Sequence, residues 1–402
     1  MKIFDHKRES MPQEELQQFQ LERLQALLAR LKRNVRRYRE LIGDTQVEDL
    51  KGVSALPLTR PDDLVESLPY GMLALPLSEV VRLNSTVGPG GRPLVTGHTR
   101  NDLALWGRLV ARQLAAAGVT AHDVIQICFG GGVFEKALGY MLGAETIGAS
   151  VIPEGPFHID YQLAMLQNYR TTVLITSPTN ARELARWLSA RRIDPQSLHL
   201  RSVILSRPVA AGECDALKAG LLAEIWSTFG VAEILDPGFC VQCEEARYHV
   251  NEDQFLVETR EGELVVTTLC REAMPLLRYC TRVACVIRRD RCGCGRTGAI
   301  IEPGARLDGR LRVNETALYE AQMAGVLAQT GAAGQKFHLD ISEERVVVSI
   351  EVDQDLFADT MRQLVDLKHE IQAEFHARLG IEAEVRYIEP RLTAPPAPRN
   401  AG

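Results

Sequence analysis

The absences in this sequence narrow the field first. No run of the chain reaches the roughly 18 to 20 consecutive apolar residues that a membrane span needs, so no membrane partner is expected. The stretch Met1-Lys2-Ile3-Phe4-Asp5-His6-Lys7-Arg8-Glu9 is charged at once and lacks the apolar core of a signal peptide, which predicts the cytoplasm. A long basic tract is missing too. The net charge is −6 over 402 residues, and the most basic run, Arg30 to Arg39, falls on a helical pattern as a solvated face. Nucleic acid is therefore not an expected partner. The glycine run Gly88-Pro89-Gly90-Gly91-Arg92-Pro93 matches neither the Walker A loop nor the Rossmann glycine fingerprint. Lysine is absent from everything that follows Lys368.

What is present is ordinary globular protein, with enough residues for two domains, one large and one small. The cysteines are less ordinary. Nine in a cytoplasmic chain of this length argue against a disulfide framework. Cys128, Cys214, Cys270, Cys280 and Cys285 lie singly, while Cys240/Cys243 and Cys292/Cys294 form tight pairs. Cys243 with His249, and Cys292 with Cys294 in a glycine loop, offer three sulfurs and one nitrogen, a tetrahedral shell that suits zinc. Cys240 competes, since Cys240-x-x-Cys243 with Cys292-x-Cys294 would give an all-thiolate site. Four protein ligands leave no open position, so such a metal would be structural. The plainer reading is two pairs of reduced thiols and a surface histidine. A redox or thiol-transfer protein working through Cys240/Cys243 is a more remote one.

Periodicity sets the architecture. Leu16, Phe19, Leu21, Leu24, Leu27, Leu28 and Leu31 recur at helical spacing and predict an amphipathic helix within 12–43. Strand patterns at 123–128, 149–153, 172–176 and 202–205 alternate with helical ones at 134–147, 161–168, 181–192 and 214–229. Strands separated by helices of this length predict βαβ units and a largely parallel sheet covered on both faces. Segments 254–259, 263–269 and 284–288 read as further strands. Beyond Pro303-Gly304 the pattern is helix 316–329, a hairpin of 337–341 with 345–352, helix 356–379 and strand 382–388. The expected fold is therefore α/β: a large N-terminal domain with mixed and parallel sheets over 1–305, a small α+β domain over 309–390, and a flexible tail at 391–402.

Gly88-Pro89-Gly90-Gly91-Arg92-Pro93 follows the strand-like Val80-Val81-Arg82-Leu83. A glycine loop after a strand can offer backbone N–H groups to phosphate, with Arg92 as counter-charge; a glycine-rich turn with no ligand is the bland alternative. Further segments give it context. These are Phe129-Gly130-Gly131-Gly132-Val133-Phe134, then Gly143-Ala144-Glu145-Thr146-Ile147-Gly148-Ala149-Ser150-Val151-Ile152-Pro153 and Phe229-Gly230-Val231-Ala232-Glu233. Asp236-Pro237-Gly238, His249-x-x-Glu252-Asp253-x-Phe255, Gly262-Glu263-Leu264-Val265-Val266-Thr267-Thr268-Leu269 and Pro275-Leu276-Leu277-Arg278-Tyr279-Cys280-Thr281-Arg282 complete the set. In this order and spacing it resembles the phenylacetate–CoA ligase family of AMP-forming enzymes, over roughly residues 9 to 390.

The resemblance implies a two-step reaction. ATP and a carboxylic acid give an acyl-AMP and pyrophosphate; the CoA thiol then displaces AMP. It implies Glu233 and Arg306 as catalytic residues, Glu233 as the holder of Mg²⁺, and Gly88, Gly91, Arg92 and Asp308 as nucleotide contacts. Arg306 and Asp308 would sit at the ribose contact and the hinge. Cys243, His249, Cys292 and Cys294 would be the family's zinc site. A small carboxylic acid, aromatic in one reading, and CoA would be the partners; a homodimer is left open. The acid pocket would be built from 129–140 and 229–239, with Phe134 and Tyr140 flanking a ring. Without the surrounding motifs, Glu233 reads equally as a solvated carboxylate and Arg306 with Asp308 as a linker ion pair.

Four departures from the family pattern fall on the chemistry. The loop Ser-Ser-Gly-Thr-Thr-Gly-Lys-Pro becomes Thr86-Val87-Gly88-Pro89-Gly90-Gly91-Arg92-Pro93, losing both threonines, and Pro89 lacks a backbone donor. The adenine segment Gly-Ala-Glu-Pro becomes Leu205-Ser206-Arg207-Pro208. The ribose-binding aspartate is Val283, a loss worth on the order of 1.5–3 kcal/mol in nucleotide binding. The C-terminal lysine has no counterpart; losing one such stabiliser costs about 2.7–4 kcal/mol. A non-catalytic relative that binds acyl-CoA or a protein partner is thus the rival expectation.

Overall fold

A computed structural model of the chain describes residues 3–129, 134–153, 158–313, 315–342, 345–352 and 361–388. The chain divides into two compact units, Met1–Gly309 and Arg310–Gly402.

The first unit opens with helix α1 (Gln13–Asn34), whose leucine stripe Leu16, Leu24, Leu27, Leu28 and Leu31 is buried. The helix expected across 12–43 is two: Val35 takes an extended backbone (φ −113°, ψ 110°), its side chain goes into the core, and a short helix restarts over Arg36–Ile42. Strands β1 (Arg82–Val87) and β2 (Pro93–His98) form an antiparallel hairpin with Arg82 opposite His98. Helix α2 (Arg100–Ala116) follows, its N-terminus closed by a capping box of Thr99 and Asp102.

Five parallel strands come next: β3 (Val124–Cys128), β4 (Ser150–Ile152), β5 (Val173–Thr176), β6 (Ser202–Leu205) and β7 (Glu224–Ser227). Their order in the sheet is β4-β3-β5-β6-β7. Helices α3 (Phe134–Ile147), α4 (Ile159–Asn168), α5 (Pro178–Arg191) and α6 (Ala211–Leu221) make the crossovers. The near-continuous burial of β5 and β6 is what a sheet covered on both faces demands. Two glycines let α3 close onto α2: a Cβ at Gly143 would meet Val110 at 2.4 Å, and one at Gly139 would meet Trp106 at 2.7 Å.

The helix expected over 214–229 is a correction. It ends at Leu222, in the left-handed region, and Glu224–Ser227 is an edge strand.

An antiparallel sheet finishes the unit, in the order β10-β11-β12-β13-β9-β8. Its strands are β8 (Cys240–Gln242), β9 (Tyr248–Val250), β10 (Phe255–Arg260), β11 (Glu263–Thr268), β12 (Tyr279–Arg288) and β13 (Ile300–Arg306).

In the second unit β14 (Leu311–Val313) and β15 (Thr316–Leu318) pair as a small hairpin before α7 (Glu320–Leu327). The helix expected from 316 therefore begins one strand later. Strands β16 (Phe337–Ile341) and β17 (Val346–Glu351) pair antiparallel as expected, and β18 (Ala383–Ile388) lies parallel to β17 after helix α8 (Met361–Leu379). Val346, Val348, Ile350, Ile371, Phe375 and Val385 form its core. The tail at 391–402 lies outside the described residues, within which no helix is long and apolar enough to cross a membrane.

Candidate functional site

The β8–β9 hairpin and the loop before β13 bring the sequence-predicted metal ligands together. Cys243, His249, Cys292 and Cys294 place one ligand atom each within 4.8 Å of all the others. Cys243 Sγ lies 3.7 Å from Cys292 Sγ, and Cys294 Sγ lies 3.4 Å from His249 Nε2. His249 Nδ1 is 3.0 Å from the carbonyl of Gly298, so that nitrogen is the donor and Nε2 faces the sulfurs, as a ligating imidazole requires. Burial pushes the His249 pKa down, keeping the ring neutral, and pushes the Cys243 thiol up. Cys240 turns elsewhere: its thiol is buried and donates to the carbonyl of Phe229 at 3.1 Å. The donor set fits a closed tetrahedral ion and leaves Cys240 outside it.

Charged groups buried behind this centre fasten it to the start of the chain. Arg296 Nε donates to Glu9 Oε2 at 2.8 Å, with both side chains almost fully buried, and Thr297 N donates to Glu9 O. Glu252 accepts from Ala299 N and pairs with Arg289; Arg112 pairs with Asp253 at 2.7 Å.

The glycine loop is closed on itself. Gly88 N donates to Arg92 O, Gly91 N to Gly88 O, and Arg92 N to Pro89 O, at 2.8, 3.0 and 3.3 Å. Gly90 and Gly91 hold φ of +64° and +79°, which glycine adopts without strain. A side chain at Gly88 would strike Leu94 at 2.5 Å. Arg92 reaches an exposed pairing with Asp62 at 3.5 Å. In this conformation the donors of Gly88, Gly91 and Arg92 serve the turn.

A buried polar cluster that periodicity did not mark lies by the C-terminal end of β6, around Lys136 and Asp236. The order β4-β3-β5-β6-β7 reverses direction between β3 and β5, the switch point at which open α/β sheets bind ligands. On the first turn of α3, Lys136 Nζ pairs with Asp236 Oδ2 at 2.8 Å and donates to the carbonyl of Ser206, just past β6, at 2.7 Å. Its neighbour Glu135 accepts from Asn84 of β1 at 2.7 Å. Burial, reinforced by Asp236 and Glu233 and opposed by Asn84 and Arg271, pushes the Glu135 pKa up to about 7.

Glu233 is buried here, and its carbonyl, with that of Ile234, accepts from Arg271. His98 stacks on Trp106 and sits between Asn84 and Arg271. Burial, with Arg271 and Arg82, pushes its pKa down to about 2, so the imidazole is neutral. The one sequence signal for Lys136 and Glu135 was the rarity of charge on α3, whose only other ionisable carboxylate is Glu145.

Arg306 and Asp308 form a two-pronged ion pair, at 2.9 and 2.6 Å. Val283, at the position of the missing carboxylate, stands opposite Arg306 in the β12–β13 ladder. Arg278 is spent on structure, pairing with Glu258 and donating to the carbonyls of Ser54 and Leu56. Of the expected acid pocket, 130–133 and the Phe134 side chain lie outside the described residues. Tyr140 is fully buried, stacks on Phe129 and bonds Thr228 at 2.6 Å, which makes it core.

No family model matches the sequence. Relatives do. A phenylacetate–coenzyme A ligase of Thermus thermophilus is 31% identical over 431 residues, spanning 98% of this chain and 96% of its own length. Another from Escherichia coli is 27% identical over 404 residues, spanning 93% and 91%. Among solved structures, 2-hydroxyisobutyryl-CoA ligase in complex with 2-HIB-AMP and CoA matches with a TM-score of 0.86 at 20% identity. That match covers 100% of this chain and 92% of that one.

Proposed function

The chain belongs to the phenylacetate–coenzyme A ligase family, and from that membership we propose how its residues serve an AMP-forming acid–CoA ligase. The observation that carries this is the match to a phenylacetate–coenzyme A ligase at 31% identity over 98% of this chain and 96% of that one. The enzyme activates a carboxylic acid with ATP as acyl-AMP, releasing pyrophosphate, and the CoA thiol then displaces AMP.

Three groups of residues divide the work in this reading. Glu233 would hold Mg²⁺, which supplies positive charge to the phosphates, as an oxygen ligand of the kind that ion prefers. Gly88, Gly91 and Arg92 would meet the phosphates once the loop gives up its internal bonds, and Arg306 with Asp308 would meet the ribose. Cys243, His249, Cys292 and Cys294 would hold a structural zinc ion that pins the β8–β9 hairpin. The segment joining 1–305 to 309–390 would be the hinge that exchanges the adenylation and thiol-transfer arrangements.

One observation favours a second reading, a relative that binds acyl-CoA or a protein partner without turnover: the self-closed loop at Gly88–Arg92. Titration calorimetry of ATP–Mg²⁺, followed by AMP release across a panel of acids with CoA, separates the two. Micromolar to sub-millimolar binding with acid-dependent AMP supports the ligase. No binding and no AMP in folded, zinc-loaded protein overturns it, and acyl-CoA binding that survives Glu233→Ala would then establish the second.

A further inference from the structure

We propose that Arg271 is a positioning residue: it holds the hairpin that carries the Gly88–Arg92 loop in register with the segment that carries Glu233, so that both meet one nucleotide. The inference rests on the ligase reading and adds a residue to it. Arg271 lies just past β11 and is buried, with 5% of its surface exposed. Its Nη1 donates to the carbonyls of Glu233 and Ile234, at 3.0 and 2.8 Å. Its Nη2 donates to the carbonyl of Gly97 at 3.0 Å. Gly97 lies in β2, opposite Leu83, in the ladder that leads to the Gly88–Arg92 turn. One planar group therefore ties together two segments that are far apart in the chain.

The partners of this guanidinium point to placement more than to bulk stability. Arg271 makes no ion pair among the described residues: it bonds backbone carbonyls and lies 3.4 Å from the neutral ring of His98. A buried cation without a carboxylate in contact is a costly way to hold a core together. What the guanidinium offers instead is a rigid fork that aims separate N–H groups at two targets at once. The hairpin end of the link is itself fixed. Asp102, in the first turn of α2 directly after β2, accepts from Glu272 N and Ala273 N at 2.8 and 3.0 Å. The backbone beside Arg271 is thus fastened to the hairpin's end, and Nη1 carries that position across to Glu233 and Ile234.

The test is titration calorimetry of ATP–Mg²⁺ and, separately, of AMP into the full chain and into Arg271→Lys and Arg271→Met. Lysine keeps the charge but donates from a single atom, so it cannot serve both segments. A misplacement of about 1 Å can cost on the order of 10²-fold. Both variants should therefore bind ATP–Mg²⁺ at least roughly tenfold more weakly than wild type, while AMP, which lacks the β- and γ-phosphates, binds almost as before. Equal weakening of both nucleotides would make Arg271 a support of the fold alone and overturns the proposal. Full ATP–Mg²⁺ affinity in Arg271→Lys overturns it as well, because charge and not reach would then be what is used. If neither variant folds, hydrogen exchange in the wild-type protein decides: saturating ATP–Mg²⁺ should slow β2 and 231–236 together, and slowing of one alone overturns the proposal. Wild-type protein that binds no ATP–Mg²⁺ overturns the ligase reading and the proposal with it. Wild-type binding that both variants match keeps that reading and removes Arg271 from it.

Discussion

Cys294 and His249 face each other across the zinc-type cluster, Sγ to Nε2 at 3.4 Å, while the other imidazole nitrogen is held by Gly298 O. The purified protein should therefore contain one equivalent of zinc by mass spectrometry. Cys294→Ser should lose it and melt several degrees lower, since each 1 kcal/mol is worth about 2–4 °C in a domain of this kind. Chelation at mildly acidic pH should proceed faster than at pH 8, because the thiolate ligands take up protons as the metal leaves. A metal-free wild-type protein with unchanged melting would refute the assignment.

Glu9 and Arg296 are the second pair worth breaking. Their ion pair is buried, and Glu9 Oε1 also accepts from Phe4 N and Asp5 N. Glu9→Ala removes the carboxylate that Arg296 faces in a buried setting and should destabilise by about 3–5 kcal/mol in urea unfolding. A loss below about 1 kcal/mol would mean that the site is wetter than its burial implies.

Glu135 makes stability depend on pH. Its folded-state pKa lies near 7, above the ordinary 4.5, so the folded chain holds a proton that the unfolded chain has released between those values. The stability this gives is complete below about pH 4.5 and is lost as pH rises through 7, with a slope of at most about 1.4 kcal/mol per pH unit. Asn84, Arg271, Asp236 and Glu233 face the group and set its environment. Glu135→Gln should flatten that slope, so the ratio of variant to wild-type stability should grow from pH 5 to pH 8. Parallel pH profiles for the two proteins would show that Glu135 is ionised throughout.

The sequence was readable where local chemistry repeats. Helix α3 was legible from Phe134 to Ile147 because its apolar and glycine spacing is unbroken, and the four metal ligands because thiols two residues apart in a glycine loop have few other uses. It was silent where a non-glycine residue ends an element. Leu222 stops α6 in the left-handed region without a glycine or proline to mark it, so Glu224–Ser227 read as more helix. Val35 breaks the first helix just as quietly. Lys136 and Asp236 are 100 residues apart, and nothing local reveals that they meet. The closure of the glycine loop depends on hydrogen bonds that composition does not encode.

The pairing of residue 9 with residue 296, and of Gln20 with the carbonyl of Glu252, has a consequence for biosynthesis. Glu9 and Gln20 cannot complete these contacts until nearly the whole large unit has followed them. At roughly 5–20 residues per second that interval is on the order of 15–60 s. Metal uptake by the Cys/His loop, late in the unit, would fall at the same moment as the pairing of Glu9 with Arg296, so that one event would latch the other.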